Sequence, residues 1–136
     1  MSASGGTPER LTRGASGPFA CESADGKGLL FQPINADSPL MTMALVGGRA
    51  RQLVACVKNS AFGVGSRGVY YVPCDPSPDP PLYVLDPNTG RSARLGRLEG
   101  LGERPLGLSV SPDGNTILYT RAMFSQADLM LIENFR

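Results

Sequence analysis

Histidine is absent from this 136-residue chain. Without imidazole, the chain has neither the general base of a Ser-His-Asp or Cys-His catalytic set nor a histidine ligand for a metal ion. Basic and acidic residues are nearly balanced, 13 against 12, so the net charge gives no reason to expect a nucleic acid partner. No apolar run approaches the ~20 residues of a membrane helix, and the N-terminus lacks the basic and apolar regions of a signal peptide. We therefore expect one domain, with no nucleic acid partner and no membrane segment in this chain.

Cysteine is scarce, and its spacing points to no metal site. The three cysteines are Cys21, Cys56 and Cys74, without any CxxC pair. A structural zinc ion takes about four ligands, and the chain has neither histidine nor a fourth cysteine. We expect three buried thiols that behave as small apolar side chains. One disulfide with one cysteine left over is the alternative, and the redox state stays open.

Glycine and proline, in contrast, are abundant, with 17 and 12 residues. Together they make about a fifth of the chain, against a usual ~12%, and both residues break helices. Short apolar runs bounded by Gly, Pro, Asp or Asn predict strands, and two Asp-Gly pairs predict hairpin turns. The predicted strands cover residues 28–32, 40–46, 51–57, 68–72, 82–85, 92–95, 106–111, 116–120 and 128–132.

The predicted strands recur as a repeat. SADGKGLLF at 23–31 matches SPDGNTILY at 111–119, 88 residues later, and GSRGVYY at 65–71 is a degenerate copy between them. Four antiparallel strands in every ~40–50 residues are typical of propeller blades. The predicted fold is all-β, a partial β-propeller of about three four-stranded antiparallel blades. We expect a remnant outer strand of a preceding blade at 1–16, blades at 17–57 and 58–98, and an incomplete last blade at 99–136.

The repeat carries a family resemblance. LSVSPDGNTILY at 108–119 resembles the SPDG-type, or PD40, repeat of TolB-like and WD-like β-propellers. Residues 125–136 are similar to the C-terminus of a group of bacterial TolB-like propeller proteins, and residues 4–12 resemble the link into a blade's fourth strand. Many members of that group carry a winged-helix domain and a membrane segment before the propeller, which implies an extracytoplasmic propeller in full-length relatives.

The resemblance also implies that the chain is incomplete. Intact members have more blades than the three that fit here, and Met1 falls within a blade of the family pattern. We therefore expect the C-terminal fragment of a larger propeller protein. No winged helix precedes the first blade, so DNA binding is not carried over, and the localisation of this chain stays unknown.

Three motifs resemble functional ones by letter only. GVGSRG at 63–68 matches GxGxxG, but a strand follows where a dinucleotide site needs a helix, so we interpret it as a glycine-rich hairpin turn. Asp25 and Asp113 lack the further ligands of a calcium loop and are interpreted as turn residues. The serines that could be considered as nucleophiles lack the flanking glycines of a nucleophile elbow; they are Ser66, Ser109 and Ser111.

The remaining polar features are interpreted as structural. The five prolines of 73–81 predict a stiff loop, with a polyproline docking motif as the alternative. The arginines cluster near a predicted outer strand, where charge discourages strand addition; they are Arg91, Arg94, Arg97 and Arg104, with Arg10, Arg13, Arg49 and Arg51 elsewhere. The carboxylates form no catalytic pair and are interpreted as solvated surface; they are Asp75, Asp79, Asp86, Glu99 and Glu103.

These observations favour binding over catalysis. We predict no catalytic, cofactor-binding or metal-binding residue, no cofactor, and no enzyme activity. The predicted function is a non-catalytic propeller module that binds a protein or peptide partner or another copy of itself. The alternative is the substrate-gating propeller of a peptidase-like enzyme that lacks its catalytic domain, and a nonfunctional truncation product is a third. The side chains predicted to be buried are Leu30, Phe31, Val69, Tyr71, Leu108, Val110, Ile117 and Tyr119.

Overall fold

All regular secondary structure among the described residues is β. The computed structural model describes residues 5–7, 10–12, 17–102, 107–123 and 126–133, and its regular elements confirm the predicted all-β class. The ten strands are β1 (Ala20–Glu22), β2 (Gly28–Phe31), β3 (Ser38–Ala44), β4 (Arg51–Gly65), β5 (Gly68–Pro73), β6 (Pro81–Leu85), β7 (Ser92–Arg97), β8 (Leu108–Val110), β9 (Thr116–Met123) and β10 (Gln126–Glu133).

The strands form two antiparallel sheets. Seven strands pair in chain order from β1 to β7, and the other sheet has the order β10-β9-β8. Each strand therefore pairs with the next one along the chain, as tight turns rich in glycine, aspartate and asparagine favour, except that β7 and β8 lie in different sheets. In the described part of the chain we find no helix with the length and hydropathy required to cross a bilayer.

Strand β4 is the largest difference from the predicted elements. The sequence predicts a strand that ends at Val57, but β4 continues to Gly65 and has 15 residues. Its first half pairs with β3 and its second half pairs with β5, with an irregularity between Val57 and Phe62. The buried Gln32 side chain accounts for this continuity, because it donates to the carbonyl of Val57 and accepts from the N–H of Ser60.

The change of partner along β4 accompanies a curl of the seven-stranded sheet, so that residues of β2 and β3 pack against residues of β5 and β6. Strands β5 and β6 lie between two apolar clusters, and their residues alternate between them, as the period of two in a strand dictates. The first cluster comprises Leu30, Leu40, Val57, Phe62, Val69, Tyr71 and Leu85. The second cluster comprises Ala61, Tyr70, Val72, Leu82, Val84, Leu98, Leu101, Leu108, Ile117 and Tyr119.

The predicted core agrees with the structure at seven of its eight positions. The buried seven are Leu30, Phe31, Val69, Tyr71, Leu108, Ile117 and Tyr119. Val110 is half-buried and packs at the margin of the second cluster, because β8 is the edge strand of its sheet. The second cluster therefore joins the two sheets, and the first cluster lies within the curl of the larger sheet.

The expectation of three free thiols is wrong for two of the cysteines. Cys56 and Cys74 form a disulfide with their Cα atoms 5.5 Å apart. Both lie near the Val57–Pro73 pair, where the bulged β4 meets the end of β5. Cys21 is free and half-buried, so the alternative, one disulfide and one leftover thiol, is the observed arrangement.

Candidate functional site

A groove of about 1020 Å³ is the candidate site. Its walls come from three separate stretches of chain: residues 19–24 around β1, residues 60–66 in the second half of β4, and residues 107–112 around β8. Leu118 and Leu129 extend one wall. Among the described strands, β1 and β8 are edge strands and the second half of β4 pairs with β5 alone, so each stretch brings to the site a backbone edge that no described strand pairs.

The Ser60 wall of the groove is held by side chains from the loop after β2. Ser60 has φ of 61°, a left-handed conformation that is costly for a residue with a β-carbon. The Gln32 Oε1 accepts the Ser60 N–H at 2.7 Å, and Asp37 accepts the N–H of Asn59 at 2.8 Å. These bonds replace ladder bonds that the bulged strand lacks, so they fix the backbone where β4 enters the groove.

The GxGxxG letters at 63–68 are explained by packing. A β-carbon at Gly63 would lie 3.0 Å from a methyl of Val110, and one at Gly65 would lie 2.9 Å from the other methyl. Glycine at these positions therefore allows β4 and β8 to approach closely across the groove wall. Gly65 pairs with Gly68 to close the hairpin, and β5 follows directly, which confirms the interpretation as a hairpin turn.

The β4–β5 hairpin is bonded to the turn before β9. The Ser66 hydroxyl donates to the carbonyl of Asp113 at 2.6 Å, and the Ser66 N–H donates to the carbonyl of Pro112 at 3.1 Å. The Tyr70 hydroxyl donates to the carbonyl of Gly114 at 2.9 Å. Ser66 is therefore a structural contact between the two sheets, which together position the groove walls.

The two Asp-Gly turns have the same hydrogen bonds. In the first turn, Ser23 Oγ donates to Asp25 at 2.6 Å and accepts the N–H of Gly28. In the second, Ser111 Oγ donates to Asp113 at 2.5 Å and accepts the N–H of Thr116. In each turn the hydrogen bond from the serine hydroxyl is the largest of the interactions that lower the pKa of the aspartate. Both carboxylates accept hydrogen bonds within their own turns, which confirms their interpretation as turn residues.

The lining of the groove is rich in hydroxyl groups and poor in charge. Ser60, Ser109 and Thr120 contribute hydroxyls, and Glu22 is the one charged residue among the lining residues that the structure describes. Cys21 also lines the groove, and burial raises the pKa of its thiol to about 11. A protonated thiol is a weak nucleophile. This surface suits hydrogen bonding and apolar contact with a neutral or weakly basic ligand.

The other predicted polar residues lie outside the groove. The proline-rich stretch forms the loop between β5 and β6, as predicted, and Asp79 Oδ1 accepts the Gly100 N–H at 2.7 Å. Asp75 and Asp86 accept N–H groups within their own loops. Arg94 and Arg97 are exposed on β7, an edge strand of its sheet. The sequence predicted arginines near an outer strand, where their charge discourages the addition of another strand. Arg13, Glu103 and Arg104 lie outside the described residues.

The structure does not gather metal ligands in the part of the chain that it describes. No three cysteine, aspartate or glutamate side chains lie close enough there to hold a metal ion. No protein-family model matches the chain, and no curated protein matches it significantly.

Sequence patterns alone missed two residues of the site. Gln32 is the last residue of a predicted strand, where a polar residue is ordinary, and nothing local indicates a bond to Ser60, 28 positions later. Ser60 lies in a polar stretch, KNS, that resembles a loop. The alternation of Val69, Tyr70 and Tyr71 between two cores was a usable signal, since a strand buried on both faces needs a layer on each side.

Proposed function

We propose that the chain is three consecutive units of a TolB-like β-propeller and acts as a non-catalytic module for protein or peptide binding. The observation that carries the proposal is the groove, because β1, the second half of β4 and β8 all line it. Each of these is the first strand of a proposed unit. First strands that surround a common axis are a feature of the propeller architecture.

The repeat positions support this arrangement. Phe31, Tyr71 and Tyr119 occupy equivalent positions at the ends of the matched segments, and all three are buried. One position earlier, Leu30 packs in the first cluster and Tyr70 packs in the second. Each of the first two proposed units thus presents this position to the unit that follows it, as stacked repeats require.

The composition of the groove favours binding. The unpaired backbone edges and the hydroxyl groups of the lining can hydrogen-bond an extended peptide, and the apolar side chains of Phe19 and Val110 can bury its alternate side chains. The Cys56–Cys74 disulfide supports an oxidising compartment, where such bonds persist. The partner is therefore an extended peptide or loop that is neutral or weakly basic, since Glu22 supplies the charge of the groove.

A peptide selection tests this function. Fluorescent peptides chosen from a random library on the native protein should bind it and should bind Ser109→Trp at least ~10-fold more weakly. The new side chain fills the groove from β8, where Ser109 is exposed. Ala55→Trp, at an exposed position of β4 away from the groove, is the matched control and should bind as the native protein does. Equal binding by Ser109→Trp, an absence of enriched peptides, or hydrolysis of the peptides would overturn the proposal.

A further inference from the structure

Strand β10 has an unpaired edge of eight residues. It pairs with β9 along its full length and with no other strand in the described chain. In the proposed function the larger sheet supplies two four-stranded units when β4 is counted in both halves, whereas the smaller sheet has three strands among the described residues. The free edge of β10 can therefore accept a fourth strand.

The same sheet exposes an apolar face. Leu118, Leu129 and Leu131 are 38%, 69% and 58% exposed, and Leu118 pairs directly with Leu131. On the opposite face, Met130 and Ile132 pack against the second cluster. The residues equivalent to Leu118 in the other two units are Leu30 and Tyr70, which are 2% and 0% exposed. The leucine face thus occupies the position that, in each of the other two proposed units, is covered by the unit that follows.

Charge distinguishes this edge from the other long free edge. β7 carries the exposed residues Arg94 and Arg97, which discourage strand addition. The sequence of β10 holds Asp128 and Glu133 and no basic residue. An acidic strand does not favour pairing with its own copy, because like charges opposite each other destabilise a sheet. The edge therefore fits a strand with basic residues.

The N-terminal segment of this chain has that chemistry. Residues 8–13, PERLTR, carry two arginines and one glutamate. In the described part of this segment Arg10 is exposed, and residues 10–12 belong to neither sheet. A proline at the first position is compatible with an outer strand. This segment lies within the remnant outer strand expected at 1–16; residues 10–12 form no strand within one chain, and Pro8, Glu9 and Arg13 lie outside the described residues.

We propose that the free edge of β10 and the leucine face bind a second copy of this chain. The N-terminal segment of each copy adds as the fourth strand to β10 of the other, and the two equal contacts are related by a twofold axis. Two closed contacts cover both edges, so the assembly stops at a dimer. The inference rests on the four-stranded unit of the proposed function.

Charge exchange tests the dimer. The native protein should have the mass of a dimer in light scattering at micromolar concentration. Variant A, Asp128→Lys with Glu133→Lys, and variant B, Arg10→Glu with Arg13→Glu, should each be monomeric, because each places like charges across both contacts. An equimolar mixture should recover a dimer that contains one chain of each variant, because both contacts then join opposite charges.

A matched pair of arginine substitutions provides the control. Arg94→Glu with Arg97→Glu changes two arginines on the free edge of β7 and should remain dimeric. Circular dichroism should give the same β spectrum for all variants. A monomeric native protein, a growing polydisperse aggregate, or a mixture of A and B that stays monomeric would overturn the dimer. A native monomer that still binds peptides in the groove overturns this inference alone and leaves the proposed function standing.

Discussion

The Tyr70 hydroxyl donates to the carbonyl oxygen of Gly114 at 2.9 Å and joins the two sheets at a buried point. We expect Tyr70→Phe to lower the free energy of unfolding by about 1–3 kcal/mol, because the Gly114 carbonyl loses this donor. Tyr71→Phe is the matched control, with an expected loss of about 0.5–1.5 kcal/mol. The Tyr71 hydroxyl donates to the Ser92 hydroxyl, and Ser92 is exposed, so that water can replace the lost hydrogen-bond partner. Urea unfolding measures both, and equal losses would contradict a special role for Tyr70.

The same tyrosine makes stability depend on alkaline pH. Burial is the main cause that raises the pKa of Tyr70, with Arg67 opposing it and Asp113 adding to it. A folded pKa above the unfolded value of about 10 means that the native state holds the proton more tightly. The stabilisation that the raised Tyr70 pKa contributes is present below about pH 10 and is lost as the pH rises through the pKa of Tyr70 in the folded protein. Urea midpoints from about pH 8 to about pH 11 should fall less steeply in Tyr70→Phe than in the native protein. Parallel curves would contradict this.

Gly114 and Gly26 allow backbone strain to be separated from crowding. They occupy equivalent turns with φ of 72° and 68°. A β-carbon at Gly114 would lie 2.6 Å from the Tyr70 hydroxyl, whereas at Gly26 the nearest atom is a flexible carboxylate oxygen 3.5 Å away. Gly26→Ala should cost about 1–2 kcal/mol for the left-handed conformation alone. Thermal unfolding should show a clearly larger loss for Gly114→Ala, and similar losses would mean that the two sheets do not meet at this turn.

Ile117 and Leu118 are neighbours on β9 with opposite environments. Ile117 is fully buried in the second cluster, whereas Leu118 is 38% exposed. We expect Ile117→Ala to cost about 2–5 kcal/mol, because it leaves a cavity between the two sheets. Leu118→Ala should cost less than half as much, since less apolar surface leaves the core. Denaturant titrations give both values, and the reverse order would place β9 in the wrong register.

The cysteines should differ in reactivity. Cys56 and Cys74 are joined across a separation of 18 residues, so replacing both with alanine should cost about 2–4 kcal/mol. Cys21→Ala leaves the disulfide intact and is the control for thiol counting. Native protein should show one thiol, which alkylates slowly near pH 8 because burial raises the Cys21 pKa to about 11. Three fast-reacting thiols in the unreduced native protein would contradict the disulfide.

The strands and turns were predictable because their causes are local. The Asp-Gly turns are closed by Ser23 with Asp25 and by Ser111 with Asp113, and those residues lie within three positions of one another. The 88-residue repeat was visible for the same reason. The proline-rich loop followed from the backbone restriction of proline.

The groove was not predictable because distant residues build it. The continuation of β4 depends on Gln32, which reaches Val57 and Ser60 from another strand's end. The sequences around Cys56 and Cys74 fit a pair of buried thiols as well as they fit a disulfide. Only the short distance between the two residues in the folded chain reveals the bond. Leu131 is an apolar residue in a strand, as a core residue would be, yet it is 58% exposed. Its exposure depends on whether another sheet packs on its face of the strand, and the local sequence does not show that.

The close approach of β4 and β8 is the relationship that the proposed propeller arrangement needs most. Two-dimensional nuclear Overhauser spectra can detect it directly. We expect cross-peaks from the Val110 methyls to the Hα protons of Gly63 and Gly65, and from the Tyr70 ring to Gly114. Cross-peaks between the paired residues Val64 and Val69 serve as the internal control. If those control peaks are present and the peaks between β4 and β8 are absent, the two sheets do not pack as described and the groove does not exist.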